Sequence, residues 1–346
     1  MKVFLKTFIA LTVTIFVVII FLMIQFYGNA IKRDVVIELS GKVLESRGGA
    51  VVVDSLVVPN LRHRWAFNLY AKRLNLDERV KAGHYELKRG MDVVDIVRML
   101  KLGHQTPVRV IFNNARGVGF LARRISGQID LDSVEIAEAI VSKEFAEELG
   151  YRSEELMSIF IPNTYELWWT ISPEELVRRM NVEYNRFWTD EREAARKVLG
   201  LSRVEVSTLA SIVYEETAKV GEMPRVAGVY VNRLRRGMRL QADPTVKYAL
   251  GDFSLQRVLN KHLKYDSPYN TYLYKGLPPG PISVPSIAAL DAVLNYEKHK
   301  YIYFCARAEM DGYHNFATTY SQHLKNAKLY TDELNRREAE KRGQAQ

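Results

Sequence analysis

Ala210-Ser211-Ile212-Val213-Tyr214-Glu215-Glu216-Thr217 sets two consecutive acids at the end of an otherwise apolar run. Read as a helix that Ser207 can cap, it puts Leu209, Ile212, Val213, Glu216 and Val220 on one face. Glu215 then falls with Thr208, Ser211 and Lys219 on the polar face, where a Glu-to-Lys pair four residues apart is the usual surface arrangement. Glu216 is thereby placed in an aliphatic stripe. Apolar surroundings disfavour the ionised carboxyl and raise its pKa, which is what an acid needs to protonate a leaving oxygen near neutral pH. A glutamate satisfied inside a core by an arginine or a backbone amide fits the same pattern, and periodicity does not choose between the two.

The next helix is opened by Pro224 and runs through Val226, Val229 and Tyr230 to Asn232-Arg233-Leu234, stopping at Gly237. Its last turn presents Asn232 and Arg233 to any neighbouring cleft. Leu240-Gln241-Ala242-Asp243-Pro244-Thr245 follows, in which Asp243 reads as a helix N-cap with Pro244 at the first helical position. The competing reading makes Asp243 the second carboxylate of an ordinary glycosidase, acting as nucleophile or as base for water. Two loops come next, Pro268-Tyr269-Asn270-Thr271-Tyr272 and Gly276-Leu277-Pro278-Pro279-Gly280-Pro281-Ile282. Tyrosine faces stack on sugar rings and amides bond to sugar hydroxyls, although packed tyrosines in a firm turn give the same composition. Tyr301–Arg307 and Tyr313–Thr319 read as strands of a hairpin turning at Asp311-Gly312, with His314 and Phe316 alternating on the second; a lone histidine there is more often structural than catalytic. A basic helix follows from Tyr320.

Toward the N-terminus, Thr7–Tyr27 is uncharged and long enough to span a bilayer as a helix, flanked by Lys2 and Lys6 before and Lys32 and Arg33 after. Gly28-Asn29-Ala30 has the small-x-small form of a signal-peptide cleavage site, yet the apolar run exceeds the usual core of about 7–15 residues, which favours a retained anchor. Basic residues at both ends leave orientation open. Between Asp34 and Gly103 the pattern is strand, helix, helix, strand, helix: Val35–Leu39 and Gly83–Leu87 extended, Trp65–Leu74 helical, and a last helix carrying Val93, Ile96, Val97 and Leu100, with Asp92 as cap and Gly103 as stop. Val108–Phe112 reads as a strand leading into a helical middle, where Pro173 opens a helix through Phe187. The fold class is α+β.

The 346 residues carry a net charge of +9, which suits an anionic partner, and 47% hydrophobic content, which is ample for ordinary cores. A single cysteine, Cys305, rules out an intramolecular disulfide and a multi-cysteine zinc site. There is no glycine-rich phosphate loop, no His-Glu-x-x-His helix and no Gly-x-Ser-x-Gly elbow, so neither cofactor nor metal is expected. The basic excess is spread along the chain rather than tied to a nucleic-acid motif.

Together the Glu216 octapeptide, Asn232-Arg233-Leu234, Gly237–Thr245, the Tyr-Asn-Thr-Tyr run and Gly-Leu-Pro-Pro-Gly-Pro-Ile resemble the MltG (YceG-like) family of endolytic murein transglycosylases over about residues 35–333. Lys81-Ala82-Gly83-His84-Tyr85 resembles part of that family's LysM-like subdomain, and Pro162-Asn163-Thr164-Tyr165 matches a further element. The family's catalytic glutamate directly precedes threonine, which is Glu216 here. This sequence departs from the family pattern at Tyr214, Ala242 and Asn315. With the resemblance the chain divides into a cytoplasmic N-terminus (1–6), a transmembrane anchor (7–27), a LysM-like βααβ-type subdomain (35–105), a mixed α/β catalytic domain (106–333) and a polar tail (334–346), of which Arg336 to Gln346 is polar enough to fray. It implies non-hydrolytic cleavage between N-acetylmuramic acid and N-acetylglucosamine of nascent peptidoglycan strands, outside the inner membrane and beside the peptidoglycan synthases, giving 1,6-anhydro ends. Glu216 would act as acid and then base, with Asn232, Gln241, Asp243, Tyr269, Asn270, Tyr272 and His314 on the substrate side. A hydrolase using Glu216 and Asp243, or a wall-binding scaffold without activity, are the other readings.

Overall fold

The computed structural model describes residues 1–344 and is a mixed helix-and-sheet fold beginning with a long apolar helix. The elements in chain order are α1 (Lys2–Tyr27), β1 (Val35–Leu39), α2 (Gly41–Arg47), α3 (Gly49–Leu56), α4 (Arg64–Arg73), α5 (Leu76–Arg79), β2 (Gly83–Leu87), α6 (Val93–Leu102), β3 (Val108–Phe112), α7 (Val118–Ser126), α8 (Ser133–Val141), α9 (Lys143–Leu149), β4 (Asn163–Leu167), α10 (Pro173–Phe187), α11 (Asp190–Leu199), α12 (Arg203–Glu216), α13 (Met223–Arg235), α14 (Asp243–Leu250), α15 (Ile287–Leu294), β5 (Tyr303–Ala306), β6 (His314–Ala317) and α16 (Tyr320–Gln344). The strands form three two-stranded sheets, β1–β2, β3–β4 and β5–β6. Two compact units result: residues 1–110 with 127–131 and 165–172, and residues 111–126 with 132–164 and 173–346.

In the first unit β1 and β2 pair antiparallel, Val35 opposite Leu87 and Leu39 opposite Gly83. Ile37, Leu39, Tyr85 and Leu87 point into a core closed by Phe67 and by Ile96, Val97 and Leu100 of α6. The ends of α6 are set by its sequence: the Asp92 carboxylate accepts from the Asp95 amide at 2.7 Å, and Gly103 takes the left-handed conformation, φ 76°, that ends the helix. The segment between the strands is more helical than its pattern predicts, because Gly48 (φ 80°) splits it into two short helices, α2 and α3, too brief for a 3.6-residue period to register. Among the described residues one helix, Val3–Tyr27, is long and apolar enough to cross a membrane. Its last turns contact the unit through aromatics: Phe21 stacks on Trp65 at 6.2 Å, Phe26 meets Trp65 and Tyr70 edge-on, and the Trp65 indole donates to Gln25 at 2.7 Å. Ala30 is fully buried, its amide donating to the Met91 carbonyl at 2.9 Å and its carbonyl accepting from Arg62 at 2.8 Å.

The second unit is built around α12. That helix starts earlier than its pattern suggests: Ser202 is the cap, accepting from the Glu205 amide at 3.1 Å while the Glu205 carboxylate accepts from the Ser202 amide at 2.7 Å. Ser207 lies inside the helix, fully buried, its hydroxyl 3.5 Å from that of Tyr184. Every residue from Val206 to Val213 is buried, so the expected polar face does not exist. Thr208 and Ser211 are small enough to let neighbours close in, and their polarity is absorbed locally: the Ser211 hydroxyl donates to the Thr208 carbonyl at 2.7 Å and accepts from the Ile282 amide at 3.0 Å. A helix surrounded on all sides has no amphipathic signal to read. It ends at Glu216, where Thr217 turns extended, and Val220 sits beyond it in a 3-10 turn, exposed rather than in the stripe.

Helix α13 opens with Pro224 in its first turn, and β5 and β6 pair antiparallel, Tyr303 opposite Ala317 and Ala306 opposite His314. Their connection is wider than an Asp-Gly turn: the Arg307 amide donates to the Tyr313 carbonyl, with Met310 (φ 56°) and Gly312 (φ 82°) both left-handed. The C-terminal residues expected to fray continue α16 through Gln344, where Arg336 pairs with Glu333 at 2.7 Å; residues 345 and 346 lie outside the described residues. The proline-rich loop is pinned at Gly280, where a Cβ would stand 1.9 Å from the Glu154 carbonyl oxygen, and at Pro279, whose carbonyl accepts from Arg152 at 3.1 Å. Gly280→Ala therefore forces backbone apart, and thermal unfolding should show a lowered Tm, corresponding to about 1–3 kcal/mol; an unchanged Tm would mean that the loop is not clamped there.

Candidate active site

Glu216 is the last residue of α12, and its carboxyl accepts a hydrogen bond from the Tyr230 hydroxyl at 2.8 Å. Burial is the largest influence on it and pushes its pKa up to about 7; Tyr230, Arg233 and Lys247 pull the other way, and the nearby Asp243 adds to the rise. Tyr230 itself is deeply buried, its ring edge-on to Phe304 at 5.8 Å, and burial beside Glu216 holds its hydroxyl protonated. A carboxyl that is half protonated near neutrality and held by a fixed donor is equipped to give a proton and to take one back.

Glu215 is not the surface acid its helical position predicts. Its side chain is only 10% exposed and its Oε2 bonds to the Arg116 guanidinium at 2.8 Å, while burial raises its pKa against the pull of Arg116. The expected partner, Lys219, instead lies over the Tyr313 ring at 4.9 Å. Both acids face inward because α12 is enclosed on every side up to its final turn.

The cap expected at Asp243 is provided differently. Ala242 occupies the cap position, Asp243 is the first helical residue of α14, and its exposed carboxylate accepts from the Tyr272 hydroxyl at 2.6 Å. Burial and Asp243 together raise the Tyr272 pKa, and Glu216 and Arg233 act on the same hydroxyl, so the structure gathers Glu216, Tyr230, Arg233, Asp243 and Tyr272 into one site. Residues 240–245 and the 268–272 loop are stapled by threonines: Thr245 and Thr271 hydroxyls lie 2.8 Å apart, and the Ala242 amide donates to Thr271 at 3.0 Å. Gln241 is held in the left-handed region, φ 52°, by its amide bond to the Thr271 carbonyl, with its side chain exposed beside Asp243. Such a conformation in a non-glycine residue is strained and is concentrated at working sites.

Other residues expected on the substrate side are occupied by the fold. The Asn232 amide donates to the His299 and Tyr301 carbonyls at 2.8 and 3.0 Å. Asn270 is fully buried and brackets its own loop, donating to Leu263 and Tyr265 and accepting from the Tyr272 amide. Tyr269 packs on Tyr248 with centroids 4.7 Å apart. His314 is bound twice by the buried Glu222, through its amide at 2.8 Å and its ring Nδ1 at 2.7 Å, and Glu222 also accepts from Thr217 at 3.2 Å. These four side chains are bonded or packed within the second unit. Among the described residues no group of three or more histidine, cysteine or acidic side chains is arranged to hold a metal ion.

The YceG-like family profile matches residues 43–329, most of the chain. The chain belongs to the YceG-like family. Its YceG-like relatives include the endolytic murein transglycosylase of Bacillus subtilis, 28% identical over 286 residues that span 78% of each chain. The protein of that name from Streptococcus pneumoniae serotype 2 is 29% identical over 277 residues, 71% of this chain and half of that one. A crystal structure of a YceG-like protein from Listeria monocytogenes superimposes with a TM-score of 0.55 at 28% identity, over 85% of this chain and 99% of that one.

Within this YceG-like site, sequence reasoning missed Tyr230, read only as one of the apolar positions of α13, and Glu222, Arg116 and Lys247, which lie on other segments. A tyrosine fourteen positions on carries no periodic signal toward Glu216; only the packing of α13 on α12 brings the two together. Because the Tyr230 hydroxyl favours the ionised carboxyl, Tyr230→Phe should raise the Glu216 pKa further and move the alkaline limb of kcat/KM on soluble glycan strands to higher pH. A limb that stays in place or moves down would detach Glu216 from that limb.

Proposed function

We propose that this protein is an endolytic lytic transglycosylase of peptidoglycan in which Glu216 is the single acid/base. The supporting observation is the Glu216 carboxyl itself, raised to about 7 by burial and held by Tyr230. In the protonated form it gives its proton to the glycosidic oxygen as the bond from C1 of N-acetylmuramic acid to that oxygen breaks. The resulting carboxylate then accepts the proton of the C6 hydroxyl while O6 bonds to C1 of the same sugar. The attacking group is tethered to the reacting ring, so no water and no second carboxylate are needed, and the product is a 1,6-anhydro end.

Asp243 fits a supporting part in this scheme. Its negative charge raises the Glu216 pKa and helps steady positive charge developing at C1, while Tyr272 fixes its orientation. The same proximity favours one other reading, a hydrolase in which Asp243 directs water or attacks C1. Gln241, exposed and strained beside it, is the residue best placed to touch the strand.

The apolar α1 would anchor the chain in the inner membrane, with residues 31–346 on the outer side where murein lies. Retention of the anchor is supported by the length of the apolar run, which exceeds the usual signal-peptide core of about 7–15 residues. The β1–α6 segment would serve as the LysM-like unit and residues 106–333 as the catalytic domain, acting on nascent strands near the synthases.

Digestion of purified sacculi by the full chain in detergent should release muropeptides with anhydro ends, one water lighter than reducing ends by mass spectrometry. Glu216→Gln should lower the rate by about a thousandfold or more. Asp243→Asn should slow the reaction yet still give anhydro ends. Reducing ends from the native chain would establish the hydrolase instead.

A further inference from the structure

In the first unit, the last turn of α1 and helices α4 and α6 line a cavity of about 800 Å³. Phe26, Leu69, Tyr70, Leu74 and Val94 make its wall largely apolar, and the exposed Arg73 and Arg98 add two cations. Among the described residues neither arginine has an ion pair or a side-chain hydrogen bond, and no acidic side chain lines the cavity. Two unpaired cations on an apolar cavity of ligand size suit an anion that also carries hydrocarbon.

The depth of the cavity along α1 narrows the choice. At 1.5 Å per residue the 25 residues of Val3–Tyr27 span about 37 Å, against a hydrocarbon core of about 30 Å, so the final turn with Phe26 and Tyr27 reaches the headgroups. Phe21 lies about 9 Å deeper, and Trp65 stacks on it at 6.2 Å, which sets the first turn of α4 at the upper edge of the acyl layer. Phe26 meets Tyr70, one turn farther along α4, so the two helices climb together. Trp65, Leu69 and Arg73 fall four apart on one face of α4, with Trp65 and Leu69 exposed and Arg73 about 12 Å beyond Trp65. The order along that face, indole and leucine first and cation last, is the order of a membrane interface.

We propose that this cavity seats the headgroup of an anionic phospholipid of the outer leaflet, with Arg73 and Arg98 holding its phosphate and the apolar wall taking the upper ends of its acyl chains. The inference rests on the reading of α1 as a membrane anchor and is independent of the chemistry of Glu216. A zwitterionic lipid offers the same phosphate but brings an ammonium for which the cavity holds no carboxylate, whereas a lipid of net negative charge leaves nothing unpaired. A soluble phosphate meets the arginines and leaves the apolar wall wet. A partner's membrane helix covers the wall but encloses two arginines without a counter-charge.

Native mass spectrometry of the full-length chain in detergent micelles, titrated with phosphatidylglycerol or phosphatidylcholine, reads the affinity of the first lipid bound. Phosphatidylglycerol should bind at least about tenfold more tightly. Arg73→Gln with Arg98→Gln should bring the two lipids within about twofold at an unchanged Tm, whereas Arg73→Lys with Arg98→Lys should keep most of the preference. Lys32→Gln with Arg33→Gln, which removes two cations just beyond α1 but outside the cavity, should keep it too, and millimolar glycerol 3-phosphate should not displace the lipid. Equal binding of the two lipids, a preference that survives loss of both arginines, or one lost as fully with Lys32 and Arg33 overturns the seat. Displacement by glycerol 3-phosphate overturns it in favour of a soluble phosphate. The anchor reading fails separately, if the native chain does not float with phosphatidylcholine liposomes once detergent is removed.

Discussion

A carboxyl partly withdrawn from water at the end of an enclosed helix, that of Glu216, is the constraint around which the second unit is arranged. Helix α12 is buried on every side from Val206 to Val213, and Glu216 sits where that enclosure meets the site. The C-terminal end of a helix carries partial negative charge, so the position itself disfavours ionisation, and burial disfavours it further. Tyr230 restrains the rise to a value near neutrality rather than letting the acid become permanently protonated. An acid that must both donate and accept needs that balance.

Holding the acid there takes structure from several distant segments. Thr217, directly after Glu216, donates to Glu222, and Glu222 grips His314 of β6, so the turn leaving α12 is tied to the final hairpin. On the other side Ser211 accepts from Ile282, joining the proline-rich loop to the same helix, and the Thr245–Thr271 contact joins the two remaining motifs. His314, expected on the substrate side, is in this way bonded into the frame. In the proposed reaction such a frame would let one carboxyl serve an intramolecular displacement, where alignment of C6 hydroxyl and C1 replaces an activated water.

Legibility in the sequence followed physical locality. The strands Val35–Leu39 and Gly83–Leu87, helix α6 with Asp92 and Gly103, and the apolar α1 were readable because period, cap and stop lie within a few residues of one another. Glu216 was readable from the stripe of Leu209, Ile212 and Val213, which remain buried. Glu215 was misplaced, since Thr208, Ser211 and Ser207 look polar but are small and satisfied inside the core; side-chain polarity is a poor guide to exposure when a hydroxyl can bond within its own turn. Asn232, Asn270 and His314 were legible as important polar positions, but their partners are the carbonyls and carboxylate of other segments, and such long-range bonds leave no local pattern. Tyr230, Arg116 and Lys247 were illegible for the same reason.

The proposed chemistry depends on the protonation state of Glu216, and infrared difference spectroscopy between the native chain and Glu216→Gln reads it directly. The protonated carboxyl stretch should persist through mildly acidic pH and titrate away with a midpoint near 7. A midpoint at the ordinary glutamate value near 4.5 would mean that the carboxyl is solvated, and that the acid on which the mechanism rests is not there.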